Sequence, residues 1–409
     1  MTATDDPRIA AAPRHDALGR RLPLLSVLIA LAVGSVYVAQ PLFFLLADRF
    51  ATTPEAMRDL FAATVTLYAL SFFIAGPLTD LWPATRLMAG GAVVLGLCLA
   101  VAGLASGSAT YAAAALAGSV AAAFVPAAGF ALLARHARPD LQGVYFGIAI
   151  AASIIGITLC RSVSAMVVAQ IGYAPFMLAF AAVLGLSALL LLRDAEAPTP
   201  APRGAVLAKY RAALALLIEP AILPRLAVGG LLFFGYLGLA TYLTFRLAAA
   251  PFSLGTAQIG LVNVVGLIAV IGAPGSGMAI RRWGSRAVGG AALTCAILGA
   301  VMVWQAGRLP AVAAGLVLLF LGTFATQPVK LVELSAVAGP ARRGAVSSLY
   351  LLVCLLLGGF SATALAPLWS RWGWDGVAAA AVVALVLALA LHLWRGRAPS
   401  SRSSEGSLS

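Results

Sequence analysis

Few side chains in this sequence can do chemistry, and most of them sit inside long apolar runs. Arg161 stands within one such run, close to Thr158 and Ser162. A guanidinium held inside a bilayer costs at least about 2.5–3.5 kcal/mol unless it finds a partner. No carboxylate lies inside the first half of the chain's apolar runs; Asp48 and Asp59 occur only at run ends. The partner must therefore be water, a backbone carbonyl, Asp48 or a ligand. Anion recognition or cavity gating is one reading, and an arginine tying helices together is the other. A second group, Thr323, Thr326, Gln327, Lys330 and Glu333, follows helical spacing. At 100° per residue it covers an arc of roughly 120°, a stripe expected to line a cavity rather than face lipid. Glu333 is then the candidate proton carrier. The alternative is a Lys330–Glu333 pair at i, i+3 that snorkels to the interface. Tyr37 and Gln40 precede Pro41, which can bend a helix, and Tyr242 lies one turn before Arg246. Asn263 completes the set.

Missing residue types narrow the chemistry further. His15, His136 and His392 lie in a tail or at run ends, and Cys98, Cys160, Cys295 and Cys354 are far apart without a CxxC or a histidine neighbour. That pattern fits buried free thiols, not a zinc site or a disulfide framework. No Walker loop occurs, so ATP is not expected to drive the protein directly. No catalytic residues, metal or cofactor are expected, and the chain does not read as an enzyme.

The elements that must position these residues follow from composition. Of 409 residues, 62% are hydrophobic and 10% charged, against about 45–50% and about 25% in soluble domains. No globular surface could hide so much apolar side chain. The net charge of +13 is read as topology-setting arginine in short loops, and nucleic acid is not an expected partner. A membrane span needs about 20 apolar residues. Twelve candidates run over 24–47, 60–78, 87–106, 111–134, 143–169, 174–192, 226–247, 257–280, 287–306, 311–334, 344–366 and 376–394. With the N-terminus inside, the inside segments hold 20 Arg and Lys, the outside loops 4, and the spans 3. This bias places both termini in the cytoplasm. The chain divides into an N-terminal tail (1–23), a six-helix bundle (24–193), a cytoplasmic linker (194–223), a second six-helix bundle (224–395) and a disordered tail (396–409).

The two bundles repeat each other. Gly76 and Gly277, Trp82 and Trp283, Pro139 and Pro340, and Gly143 and Gly344 are all 201 residues apart, in equivalent loops. The expected fold is an all-α integral membrane protein of twelve helices in two parallel six-helix pseudo-repeats, with a site between the halves near the midplane.

At this point the residues resemble a known family, the major facilitator superfamily. Its signature between the second and third spans is G-x-L-x-D-R-x-G-R-R/K. The chain reads Gly76-Pro-Leu78-Thr-Asp80-Leu-Trp82-Pro-Ala-Thr-Arg86, and its second copy Gly277-Met-Ala-Ile-Arg281-Arg282-Trp-Gly284-Ser-Arg286. The first copy keeps Gly, Leu and Asp; the second keeps Gly, Arg, Gly and the last Arg. The segments Tyr37–Leu42, Thr241–Phe245 and Ser347–Tyr350 look like the bacterial drug or sugar efflux permease branch. The resemblance implies that Tyr37, Gln40, Arg161, Tyr242, Gln327 and Lys330 line a substrate cavity. It also implies that Gly76, Asp80, Arg86, Gly277, Arg282 and Arg286 act in gating. The expected function is proton-coupled efflux of a small molecule across the inner membrane by alternating access, as a monomer. The rival readings are an uptake carrier or facilitator for an anionic metabolite, suggested by Arg161, Arg246 and Lys330 outnumbering Glu333, and a non-transporting scaffold.

The topology is directly testable. A Ser401→Cys variant should resist membrane-impermeant thiol reagents applied to intact cells. Efficient labelling there would reverse the orientation derived from the arginine bias.

Overall fold

A computed structural model describes residues 14–79, 81–136, 142–193, 204–339 and 342–394, and every regular element among them is a helix. Eleven helices are long and apolar enough to cross a membrane: Leu18–Arg49, Pro54–Leu78, Ala84–Leu104, Ser108–Leu133, Gly147–Ile171, Tyr173–Leu192, Leu223–Ala248, Gly275–Gln305, Leu309–Ala338, Ala345–Ala364 and Ala366–Trp394. The shorter apolar helix Thr256–Gly272 supplies the remaining span, the eighth in chain order. Because successive spans reverse direction, the connections near 49–54, 104–108, 171–173, 248–256, 305–309 and 364–374 gather on one face, here the far face. Both ends of the described chain lie on the opposite, terminal face.

Several spans depart from uniform helices, each for a local reason. The first stops at Ser35, turns, and resumes as a short 3-10 helix, Gln40–Leu42, and a helix, Phe43–Arg49. Pro41 has no N–H to continue the helical ladder and biases the residue before it away from the α region. The eighth begins as Thr256–Asn263, tightens to a 3-10 turn over Val264–Ile268, and becomes helical again at Ala269. Asn263 Nδ2 donates back to the Ile259 carbonyl at 2.9 Å, and the β-branched Val264 and Val265 disfavour the α form. The eighth and ninth run together except for a kink at Gly284, whose φ of 77° and ψ of 158° suit only glycine. The linker contains a helix, Gly204–Ala215, built largely from Ala, Leu and Arg, good helix formers. Its Tyr210 hydroxyl donates to the Ile74 carbonyl at the terminal end of the second span, and its ring packs 5.8 Å from Phe73.

Small residues let the backbones approach. The first and fifth spans cross so closely that a Cβ on Gly156 would collide with the Ala30 carbonyl, and one on Gly34 would lie 2.6 Å from the Gly156 carbonyl. The ninth and tenth pack as tightly: a Cβ on Gly322 would collide with Ala292 O and Ala296 N. Where lipid offers no hydrophobic drive for helices to associate, such contacts carry the packing. Between the halves, the second span meets the eleventh, and Gly359 rests on Val65 and Thr66. The fifth meets the eighth, and Gly260 rests on the backbone of Arg161 and Ser162.

Gly156→Ala should therefore destabilise the protein by about 1–3 kcal/mol or more, as overpacking does. This would be read as a lower melting temperature of the purified protein. Gly90→Ala, where a Cβ meets open space, should leave it unchanged. Equal melting of the two variants would contradict the crossing.

Candidate functional site

Arg161 of the fifth span is 3% exposed. Its Nη1 donates to the Tyr236 hydroxyl at 3.0 Å, so the bond crosses from the first half to the seventh span in the second. The guanidinium stacks over the Tyr37 ring at 4.7 Å and lies 5.9 Å from the Tyr236 ring. Tyr236 meets Phe320 and Phe324 of the tenth span edge-on, at 5.5 and 5.8 Å. Gln327 shares the Phe324 face of that helix, one turn on, and is half-buried. Spans 1, 5, 7 and 10 thus meet around one cation. Its Nε and Nη2 are buried without a hydrogen-bond partner, and among the described residues no carboxylate pairs with it. Asp48 is exposed and plays no such part. Tyr236 is the residue that sequence reasoning missed. The available signal was its place near the centre of the seventh span, between Gly235 and Gly238.

Gln40 and Tyr242 belong to a different structure, a seal at the far face. Gln40 Nε2 donates to Thr241 Oγ1 at 2.9 Å, and the two residues are 201 apart, the repeat offset itself. The bond therefore joins equivalent positions of the two halves and lies on their pseudo-two-fold axis. Phe43 and Phe44 pack on Phe245 at 5.8 and 5.6 Å. Tyr242 is fully buried, donates to the Ala362 carbonyl at 2.7 Å and stacks against Trp369 at 5.3 Å. Above it lies Arg58 of the second span, 5.4 Å from the Tyr242 ring and paired with Asp59 at 2.8 Å.

The tenth-span stripe splits. Lys330 does not join the Arg161 group and does not snorkel: it is 1% exposed. Its ammonium contacts Glu333 Oε2 at 2.8 Å and His392 Nδ1 of the twelfth span at 2.6 Å. His392 Nε2 lies 3.0 Å from the Arg286 carbonyl. A carbonyl only accepts, so Nε2 carries the proton and Nδ1 accepts from Lys330. Gly289 makes room for this ring, since a Cβ there would sit 2.7 Å from Nε2. The twelfth span thus turns its last histidine inward. Thr326 is spent on the Gly322 carbonyl at 2.8 Å, and Thr323 is buried without a partner. Arg246 sits at the far-face end of its helix, donating to the Ala250 carbonyl at 3.0 Å.

The loop residues expected to gate lie on the terminal face. Gly76 and Gly277 have open space around them, and Arg86 is exposed. Arg282 stacks on its neighbour Trp283, and Arg286 Nη2 donates to the Leu393 carbonyl at 3.1 Å. Asp80 lies outside the described residues. The helix end before it is held by Arg135, which sequence reasoning did not single out, donating to the Thr79 carbonyl at 2.6 Å.

The sequence profile of the Major Facilitator Superfamily matches residues 24–363. The chain belongs to the Major Facilitator Superfamily. It is therefore a multi-pass membrane transporter of the twelve-helix superfamily fold and not an enzyme. An uncharacterized transporter of Buchnera aphidicola subsp. Baizongia pistaciae is 24% identical over 366 residues, 88% of this chain and 89% of its own. A probable transporter of Streptomyces coelicolor is 28% identical over 374 residues, 90% and 85% of the two chains. Among solved structures, a bacterial homolog of the human lysosomal transporter Spinster, in an inward-facing and unoccupied conformation, superposes with a TM-score of 0.74 at 14% identity. That match covers 94% of this chain and 97% of that one. The human organic anion transporter MFSD10 gives 0.67 at 18% identity, over 91% and 99%. At these identities the structural likeness speaks for the superfamily fold alone.

The contact between the halves at the far face makes a prediction. Gln40→Ala and Thr241→Ala should each speed labelling of a Val65→Cys thiol, buried beneath Gly359, by impermeant maleimide from the far face. The double variant should do little more than either single one, with a coupling of about 0.6 and at most about 1.7 kcal/mol. Fully additive effects would show that the two side chains act apart.

Proposed function

We propose that this transporter works by alternating access in the bacterial inner membrane, with both termini in the cytoplasm, exporting a small molecule loaded from the cytoplasmic side. The observation that carries the reading is the contact between the halves at the far face, made by pseudo-equivalent residues, Gln40 with Thr241 and Phe44 with Phe245. These are side-chain contacts between two bodies, and they can part without unfolding either bundle. Arg161 and its aromatic neighbours lie just below that seal, where spans of both halves meet. Tyr37, Arg161 and Gln327 are the proposed substrate-facing residues, and Gln40 and Tyr242 the residues that close over them. The terminal-face loops with Gly76, Asp80, Arg86, Gly277, Arg282 and Arg286 form the opposing gate.

Coupling to protons is assigned to Glu333, supported by its sharing of Lys330 with His392. Protonation of the carboxylate would release the ammonium and loosen the tenth span from the twelfth. Glu333→Gln should abolish transport driven by a proton gradient while exchange across the membrane persists. Unchanged pH dependence in that variant would leave a facilitator.

The alternating-access reading is tested without knowing the substrate. Phe44→Cys and Phe245→Cys, whose parent rings are 5.6 Å apart, should form a cross-link that holds the far face shut. Proteoliposomes bearing the double variant would be incubated with a mixture of labelled metabolites and drugs. Oxidation should cut the flux of transported compounds at least about tenfold, and reduction should restore it. Flux indifferent to the cross-link would sink the mechanism.

A further inference from the structure

The guanidinium of Arg161 presents two distinct edges. Nη1 is spent on the Tyr236 hydroxyl. Nε and Nη2, whose N–H bonds point the same way along the other edge, are both buried and both without a partner. Two parallel donors on one edge match the two oxygens of a carboxylate, the geometry that makes arginine a recogniser of planar oxyanions. A water could accept from one donor but would leave the charge uncompensated, and an uncompensated cation inside the bilayer is costly.

Of the other described span charges, Lys330 is compensated by Glu333 and Arg58 by Asp59, and Arg246 sits apart at the far-face end of its helix, donating to the Ala250 carbonyl. The site therefore asks for one negative charge. A zwitterion would bring an ammonium that finds no carboxylate here, and a cationic compound would meet Arg161 with like charge. The walls are apolar. Tyr37 lies against one face of the guanidinium plane at 4.7 Å, and Tyr236 leads by edge contacts to Phe320 and Phe324. Stacking on Tyr37 fixes the plane, so the open edge keeps its direction.

We infer that Arg161 and these rings form a binding site for an amphipathic organic monoanion: a carboxylate on the Nε/Nη2 edge and an apolar or aromatic body against Tyr37, Tyr236, Phe320 and Phe324. The inference rests on the transporter reading and names the substrate class of its central site. The residue types set the selectivity. The fork requires an oxyanion, its single charge disfavours inorganic dianions, and the aromatic wall requires a hydrophobic tail.

The test uses the full-length purified transporter and a matched series of probes: 4-phenylbutyrate, 4-phenylbutyramide, 4-phenylbutylamine and inorganic sulfate, with thermal stabilisation titrated to give dissociation constants. The acid should bind at least about tenfold tighter than the amide or the amine, because only it fills both buried donors, and sulfate should not bind measurably. Arg161→Lys keeps the charge and loses the fork, and should weaken the acid about tenfold with little change for the amide; Arg161→Gln should erase the preference. If Arg161→Gln does not fold, the wild-type series and Arg161→Lys decide. Amide or amine binding as tight as the acid, sulfate matching the acid, no stabilisation by the acid, or a preference unchanged in Arg161→Lys would each overturn the inference. The far-face cross-link assay reads transport of any compound, so failure of the anion site and failure of the transport mechanism remain distinguishable.

Discussion

A buried cation with no described counter-charge organises the centre of this molecule. Arg161 lies in the fifth span, no carboxylate among the described residues pairs with it, and the partner it finds is a neutral hydroxyl on the other half. This arrangement is unfavourable for a resting helix bundle, where buried charges are normally paired. It becomes intelligible if the missing charge arrives with a ligand. The rest of the core supports that reading by keeping Arg161 in place while leaving its charge open: Tyr37 stacks on one face, and the tenth span holds Tyr236 through ring edges. The close crossing of the first and fifth spans at Gly34 and Gly156 fixes the separation between Tyr37 and Arg161.

Symmetry explains how the halves meet at the far face. A bond between residues 201 apart, in a chain whose repeat offset is 201, joins like positions on either side of the pseudo-two-fold axis. The seal around it is aromatic, with Phe43, Phe44, Phe245, Tyr242 and Trp369 in contact. Rings slide over one another at smaller cost than hydrogen-bonded backbone, which suits the opening and closing proposed for this surface.

The sequence made much of this legible, and the limits have physical causes. Hydropathy set the spans because a bilayer demands about 20 apolar residues per crossing, and the repeat followed from glycine and proline offsets that turn geometry enforces. Arg161 stood out because charge in a span is rare. Tyr236 did not, because a tyrosine among phenylalanines is chemically ordinary until a guanidinium from 75 residues away is brought to it. Helical periodicity placed Thr323, Gln327, Lys330 and Glu333 on one broad arc, but an arc of that width spans two neighbours. Gln327 shares the side facing Tyr236, while Lys330 turns to the twelfth span. His392 was passed over because position along a span says nothing about which way its last residue points. The helical linker was obscured by the prolines that precede it.

The two halves treat charge in opposite ways, and this asymmetry follows from where their compensating groups come from. In the second half, Lys330, Glu333 and His392 form a closed set: the ammonium donates to a carboxylate and to a neutral imidazole whose other nitrogen is fixed by the Arg286 carbonyl. One positive and one negative charge cancel, and every polar contact described for that set stays within the half. A second proton on His392 Nδ1 would face Lys330 at 2.6 Å, so the set admits another proton only by giving up the Lys330 bond. In the first half Arg58 pairs with its neighbour Asp59, while Arg161 looks across the interface to Tyr236. A transporter needs one element that responds to what crosses the membrane and another that answers without consuming it. In the proposed mechanism the first role falls to the open charge between the halves and the second to the closed set within one half. The bond between the tenth and twelfth spans links them, because the helix that carries Lys330 also carries the rings that hold Tyr236 beside Arg161.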